Sequence, residues 1–171
     1  MHGARGSIII VLVAFALLLI QSVFSRVLAP YPFSPYLGLP LIFALGTAPG
    51  VRVLRGAATA FAIGYLCDFF TGNPLGLHTF VFVVGYLTAW LLGYLLTFRG
   101  IAFEMVLTFT LTVLLGGLLE AIRGFTPGGM AWSGVTLTLA LFASALATTL
   151  VAPVLFAVVR WIDPESERAP T

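Results

Sequence analysis

Charge is what this sequence most lacks, and its scarcity removes whole classes of function. Of 171 residues only 8% are charged, against about 25% in an ordinary soluble domain. Lysine is absent altogether, so the net charge of +2 rests on eight arginines and six acids spread thinly along the chain. No stretch offers the clustered basic face that nucleic acid requires. A single cysteine, Cys67, excludes an intrachain disulfide and a cysteine-based metal site. His2 and His78 are too few and too far apart for a histidine cluster, so neither metal nor cofactor is expected. There is also no H-E-x-x-H pattern, no phosphate loop and no nucleophile–base–acid set, and the short loops leave little room to hold a polar substrate. The sequence therefore reads as a non-enzymatic protein.

Apolar residues fill the space. They make up 60% of the chain, with a mean hydropathy of +1.12, and so apolar a globule could not cover its surface with polar side chains. Its solvent must be lipid. A crossing helix needs about 20 apolar residues, and six segments come near this: about 7–25, 36–51, 55–70, 75–98, 101–122 and 132–159. Runs such as Ile8-Ile9-Ile10-Val11-Leu12-Val13 do not alternate, which argues against barrel strands. The expected fold is thus all-α, a polytopic bundle of six transmembrane helices in one membrane domain, 1–171, with a short cytoplasmic tail at 160–171. The run at 7–25 resembles a signal peptide in its flank, yet it is long enough to span and reads as a retained helix. The second segment is short and carries Pro40 and Pro49, so it reads as a tilted, broken or re-entrant piece. Six crossings place Arg5, Arg52, Arg55, Arg99, Arg160 and Arg168 on one side and Arg26 and Arg123 on the other. The positive-inside bias then sets both termini in the cytoplasm.

Ionisable residues within spans are the sharpest local signals. Asp68 lies just before the turn Thr71-Gly72-Asn73-Pro74, and three roles are open to it. It could cap the helix beginning near Gly76, it could hydrogen-bond His78 or Arg123 inside the bundle, or it could take part in transport or partner docking. His78 reads as an interfacial or packing histidine. Glu120 and Arg123, three residues apart, are expected to pair at one boundary, and Glu104 with Arg99 at the other. Gly85 and Gly93, and the step Gly46-Thr47-Ala48-Pro49-Gly50, are spaced for close helix contact. Trp132 and Trp161 read as interface anchors.

The stretch Gly64-x-x-x-Asp68, the turn ending Asn73-Pro74, Leu75-Gly76-Leu77-His78 and Gly85-Tyr86-Leu87 resembles the central signature of the rod shape-determining MreD family. Length, hydrophobic profile and minimal loops resemble that family over most of residues 7–160. The resemblance implies a subunit of the elongation complex in the bacterial inner membrane, acting in cell-wall organisation and cell shape. Such a subunit associates with the bitopic protein MreC and, indirectly, with the MreB filament, the RodA glycosyltransferase and a class B transpeptidase. It also implies a bundle similar to the substrate-binding subunits of energy-coupling-factor transporters, with Asp68 at the family's recurring acidic position. Gly64, Asp68, Pro74, Gly76, His78, Gly85, Glu120 and Arg123 are the candidate structural or partner-docking residues. The alternatives are a small-molecule-binding or transport subunit, and a protein handling a lipid-linked intermediate through Asp68 and Glu120.

Overall fold

Apolar runs with no alternation have one way to satisfy their backbone in lipid, which is to bond it within helices. The computed structural model describes residues 2–27, 36–48, 51–71, 75–95, 100–125 and 134–162, and all of its regular structure there is helical. The helices are α1 (His2–Val27), α2 (Gly38–Thr47), α3 (Val53–Thr71), α4 (Leu77–Leu95), α5 (Ile101–Gly124) and α6 (Gly134–Ile162). Five of them, all but α2, are long and apolar enough to cross a membrane. The loop at 29–35, Trp132 and the tail beyond Ile162 lie outside the described residues.

The second segment is much shorter as a helix than its apolar run. α2 has 10 residues, about 15 Å of rise and half a hydrocarbon core. Pro40 sits in its first turn, where its missing N–H breaks no helical bond. Ala48 then leaves the helix in an extended conformation, ahead of Pro49. Every residue from Gly38 to Gly46 is buried, because α2 touches each of the other five helices. It runs parallel to α4, with Gly38 beside Phe82, Gly46 beside Ala89 and Thr47 beside Gly93. It therefore begins more than a turn along α4 and reaches the other end of the bundle.

A helix that starts inside a bundle exposes its first N–H groups to hydrocarbon. The Leu39 N–H turns back to the Tyr36 carbonyl at 3.1 Å, and two other helices hold the residues that lead into α2. The Tyr36 N–H donates to Thr148 Oγ1 of α6 at 3.1 Å, and the Leu37 N–H donates to Gln21 Oε1 of α1 at 3.2 Å. Thr148 in turn donates to the Ser144 carbonyl at 2.6 Å.

Around α2, α3 and α4 are antiparallel, with Gly64 against Thr79 and Gly56 against Tyr86. α5 and α6 are antiparallel too, with Gly116 facing Leu141. At their far end Arg160 donates to Glu104, with nitrogen–oxygen distances of 3.2 and 3.4 Å. Arg160 thus closes onto Glu104 from α6; the expected pairing of Glu104 with Arg99 falls on a residue outside the described ones. α1 packs mainly on α3, where the rings of Phe15 and Phe70 meet with centroids 5.5 Å apart, and its buried positions Ile10, Ala14 and Leu18 form one stripe at spacing four.

Polarity is arranged as lipid demands. Thr59, Asp68, His78, Thr108, Thr112, Ser144, Thr148 and Thr149 are buried, while Leu54, Val106, Leu139, Leu150 and Val154 face outward. Small and hydroxylated side chains inside, with aliphatic ones outside, are the packing logic of helices in a bilayer.

Candidate functional site

Asp68 stands on the last turns of α3, one helical turn beyond Gly64, so both face α4. At Gly64 an added Cβ would lie 2.6 Å from Thr79 Cα and 3.0 Å from the His78 carbonyl oxygen. Only glycine lets the two backbones approach this closely, and that approach brings the Asp68 side chain under the first turn of α4.

Five donors converge there. Asp68 Oδ1 accepts from the His78 N–H at 2.7 Å and pairs with His78 Nδ1 at 2.9 Å. Oδ2 accepts from the Gly76 N–H at 2.9 Å, the Thr79 N–H at 3.1 Å and the Thr79 hydroxyl at 2.7 Å. Three of these donors are the backbone amides at the α4 N-terminus, which have no partner within their own helix. The helix dipole places positive potential at the same point. Gly76 makes the entry with φ +100°, in the left-handed region that favours glycine. Asp68 and His78 are both almost wholly buried, and the carboxylate contact assigns the proton to Nδ1 of the imidazole. The His78 ring also meets Phe82 edge to face, with centroids 6.2 Å apart.

A carboxylate has about four lone-pair directions, and five donors from its own chain occupy them. Its chemistry here is adhesive: it fastens α3 to α4 and caps α4 across a turn of chain. The cap and the hydrogen bond to His78, separate alternatives in the sequence, occur together.

Of the candidate residues, Gly64, Asp68, Gly76 and His78 form this one joint. Gly85 lies two turns further along α4, where an added Cβ would press on Leu115 of α5 and Phe43 of α2. Glu120 is half-buried on α5 and is not among the groups on Asp68. Pro74 and the side chain of Arg123 lie outside the described residues, and with them the expected Glu120–Arg123 pair. Sequence reasoning passed over Thr79, which supplies two of the five hydrogen bonds. Its signal was available in principle, since a hydroxyl in the first turn after a capping acid is well placed to join the cap. Gln21 and Thr148 had no such local signal. Among the described residues no three His, Cys, Asp or Glu side chains gather as metal ligands.

Fold and site together define a multi-pass helical membrane bundle with a polar structural joint between two of its spans. No protein-family model, no curated protein and no solved structure matches the chain.

Proposed function

We propose that this chain is a non-enzymatic subunit of a bacterial elongation complex, similar in role to the MreD family. It docks an MreC-like bitopic partner and, through it, the MreB filament, RodA and a class B transpeptidase to maintain rod shape. The observation that carries the reading is what the 64–87 pattern does. Gly64, Asp68, Gly76 and His78, which carry the resemblance, act as one fully hydrogen-bonded clamp. A group saturated by its own chain favours a rigid scaffold over a site that binds and releases a substrate. In this reading the chain resides in the inner membrane with six crossings and both termini in the cytoplasm. α2 and its flanking residues make the second crossing, and the arginine distribution supports that orientation.

The test is capture of the tagged chain from native membranes in mild detergent. A single-span partner and wall-synthesis enzymes are expected to co-purify, and depletion of the chain is expected to round the cells. Recovery of a nucleotide-hydrolysing transporter module with a bound small molecule would overturn the proposal.

A further inference from the structure

The seam between α5 and α6 holds hydrogen-bonding groups on both sides that their own helices do not use. The two helices are antiparallel, and the seam is pinned by Gly116 against Leu141 and by Glu104 on Arg160. Thr108 and Thr112 lie between Glu104 and Gly116 at spacing four, on the stripe of α5 that carries both pins. Both are fully buried, and neither hydroxyl has a hydrogen-bond partner among the described residues. The other buried threonines donate: Thr59, Thr148 and Thr149 to the carbonyl four residues back, and Thr79 to Asp68.

An idle hydroxyl alone specifies nothing, as the buried Tyr86 phenol shows among the described residues, but α6 carries a matching acceptor. Pro153 lies inside α6 and has no N–H, so the Thr149 carbonyl, four residues before it, loses its helical donor. In lipid, Ser and Thr side chains are among the groups that take up carbonyls freed by proline. Phe142, Thr149, Pro153 and Arg160 follow one another at seven, four and seven residues, a single flank of α6. Both ends of that flank meet α5: the Phe142 ring lies 6.0 Å from that of Phe109, and Arg160 bonds Glu104. Thr108 and Thr149 each stand eight residues beyond the Gly116–Leu141 pin. Donor and acceptor therefore share one seam at one depth.

The same stretch of α6 is built to bend. Thr148 and Thr149 donate back to the Ser144 and Ala145 carbonyls at 2.6 and 2.7 Å, a pattern that bends helices, and Pro153 follows a turn later. Beyond the proline the helix is anchored, with Leu155, Phe156 and Val159 buried and Arg160 tied to Glu104. Every buried residue of α6 lies from Ser144 onward, which leaves residues 134–143 as a lightly held arm. We propose that this arm has two positions, related by a pivot at Pro153: the one described, and a less populated one in which Thr108 or Thr112 donates a hydrogen bond across the seam to the Thr149 carbonyl. Thr148, next to that carbonyl, also accepts from the Tyr36 N–H at 3.1 Å, so the swing is passed to the entry of the central helix α2. The device makes no demand on what the chain docks.

Spin–spin distances in lipid nanodiscs test the device, with pairs of labels placed by cysteine substitution in the Cys67→Ala chain. Leu139 on the arm and Phe69 beside the Asp68 clamp are both exposed, as are Trp161 and Leu54, which report on the anchored part of α6. The pair at Leu139 and Phe69 is expected to give a major and a minor distance, and the pair at Trp161 and Leu54 a single one. Thr108→Val with Thr112→Val is expected to shrink the minor population about threefold, the weight of an average interhelical hydrogen bond in lipid. Pro153→Ala, which returns an N–H to the Thr149 carbonyl, is expected to shrink it as well. A single distance at Leu139 and Phe69 with both threonines intact, or a minor population indifferent to the threonine pair, would overturn the device. So would two distances at Trp161 and Leu54, because the whole helix would then move and not its arm. None of these results bears on the docking proposal, which stands or falls by what the tagged chain captures.

Discussion

Asp68 and its donors are unequal in what their loss should cost. Thr79→Val removes one hydroxyl and leaves the carboxylate four donors, so about 1 kcal/mol is expected. Asp68→Asn keeps the shape but turns one oxygen into an NH2 group that faces donors. Unsatisfied buried groups cost about 1–3 kcal/mol each, so its thermal midpoint in detergent should fall well below that of Thr79→Val. Equal midpoints would mean that the carboxylate is not the clamp. Gly64 offers a second comparison. Gly64→Ala drives a methyl into the Thr79 backbone, whereas Gly117 of α5 has nothing within 4 Å of an added Cβ. Gly64→Ala should therefore destabilise, while Gly117→Ala should be neutral or gain up to about 1 kcal/mol from helix propensity. Paired melting curves decide this.

At the scale of elements, what could be read from the sequence follows the separation of the partners. The long helices were legible as apolar runs, and the cap at Asp68 was legible because its target begins only eight residues later, at Gly76. Arg160 as the partner of Glu104 is 56 residues away, and Thr148 as the cap of Tyr36 is 112 away. Pairings at that distance leave no local pattern. The reach of α2 was illegible for a related reason, since hydropathy measures an apolar run but not how much of it is helix. α5 carries a prediction of its own. The hydroxyls of Thr108 and Thr112 are buried one turn apart without a hydrogen-bond partner among the described residues. Valine has nearly the same shape and no polar atom to satisfy. Thr112→Val is accordingly expected to hold or raise the thermal midpoint, while Thr148→Val, which strips the cap from Tyr36, should lower it. A fall for both would show that the α5 hydroxyl has a partner of its own.

For the whole molecule, the count of crossings turns on α2. With six crossings the two ends of the chain share one side, and with five they are opposed. Cys67 is buried, so in a Cys67→Ala background single cysteines at Gly3 and Ser166 report their own surroundings. Both are expected to react with an impermeant maleimide only after inverted membranes expose the cytoplasmic face. Labelling from opposite faces would make α2 a re-entrant turn.

The caps on α2 also set a clock. Synthesis delivers the chain from its N-terminus, so Gln21 is already in place when Leu37 leaves the ribosome. Thr148, 112 residues after Tyr36, has yet to be made. Until then the Tyr36 amide has no Thr148 to bond, and the central helix cannot settle into its final seat. A nascent chain stalled before α6 would hold five helices around an unfinished centre. The contacts that α6 makes with the central helix are thus the last that synthesis can supply to it.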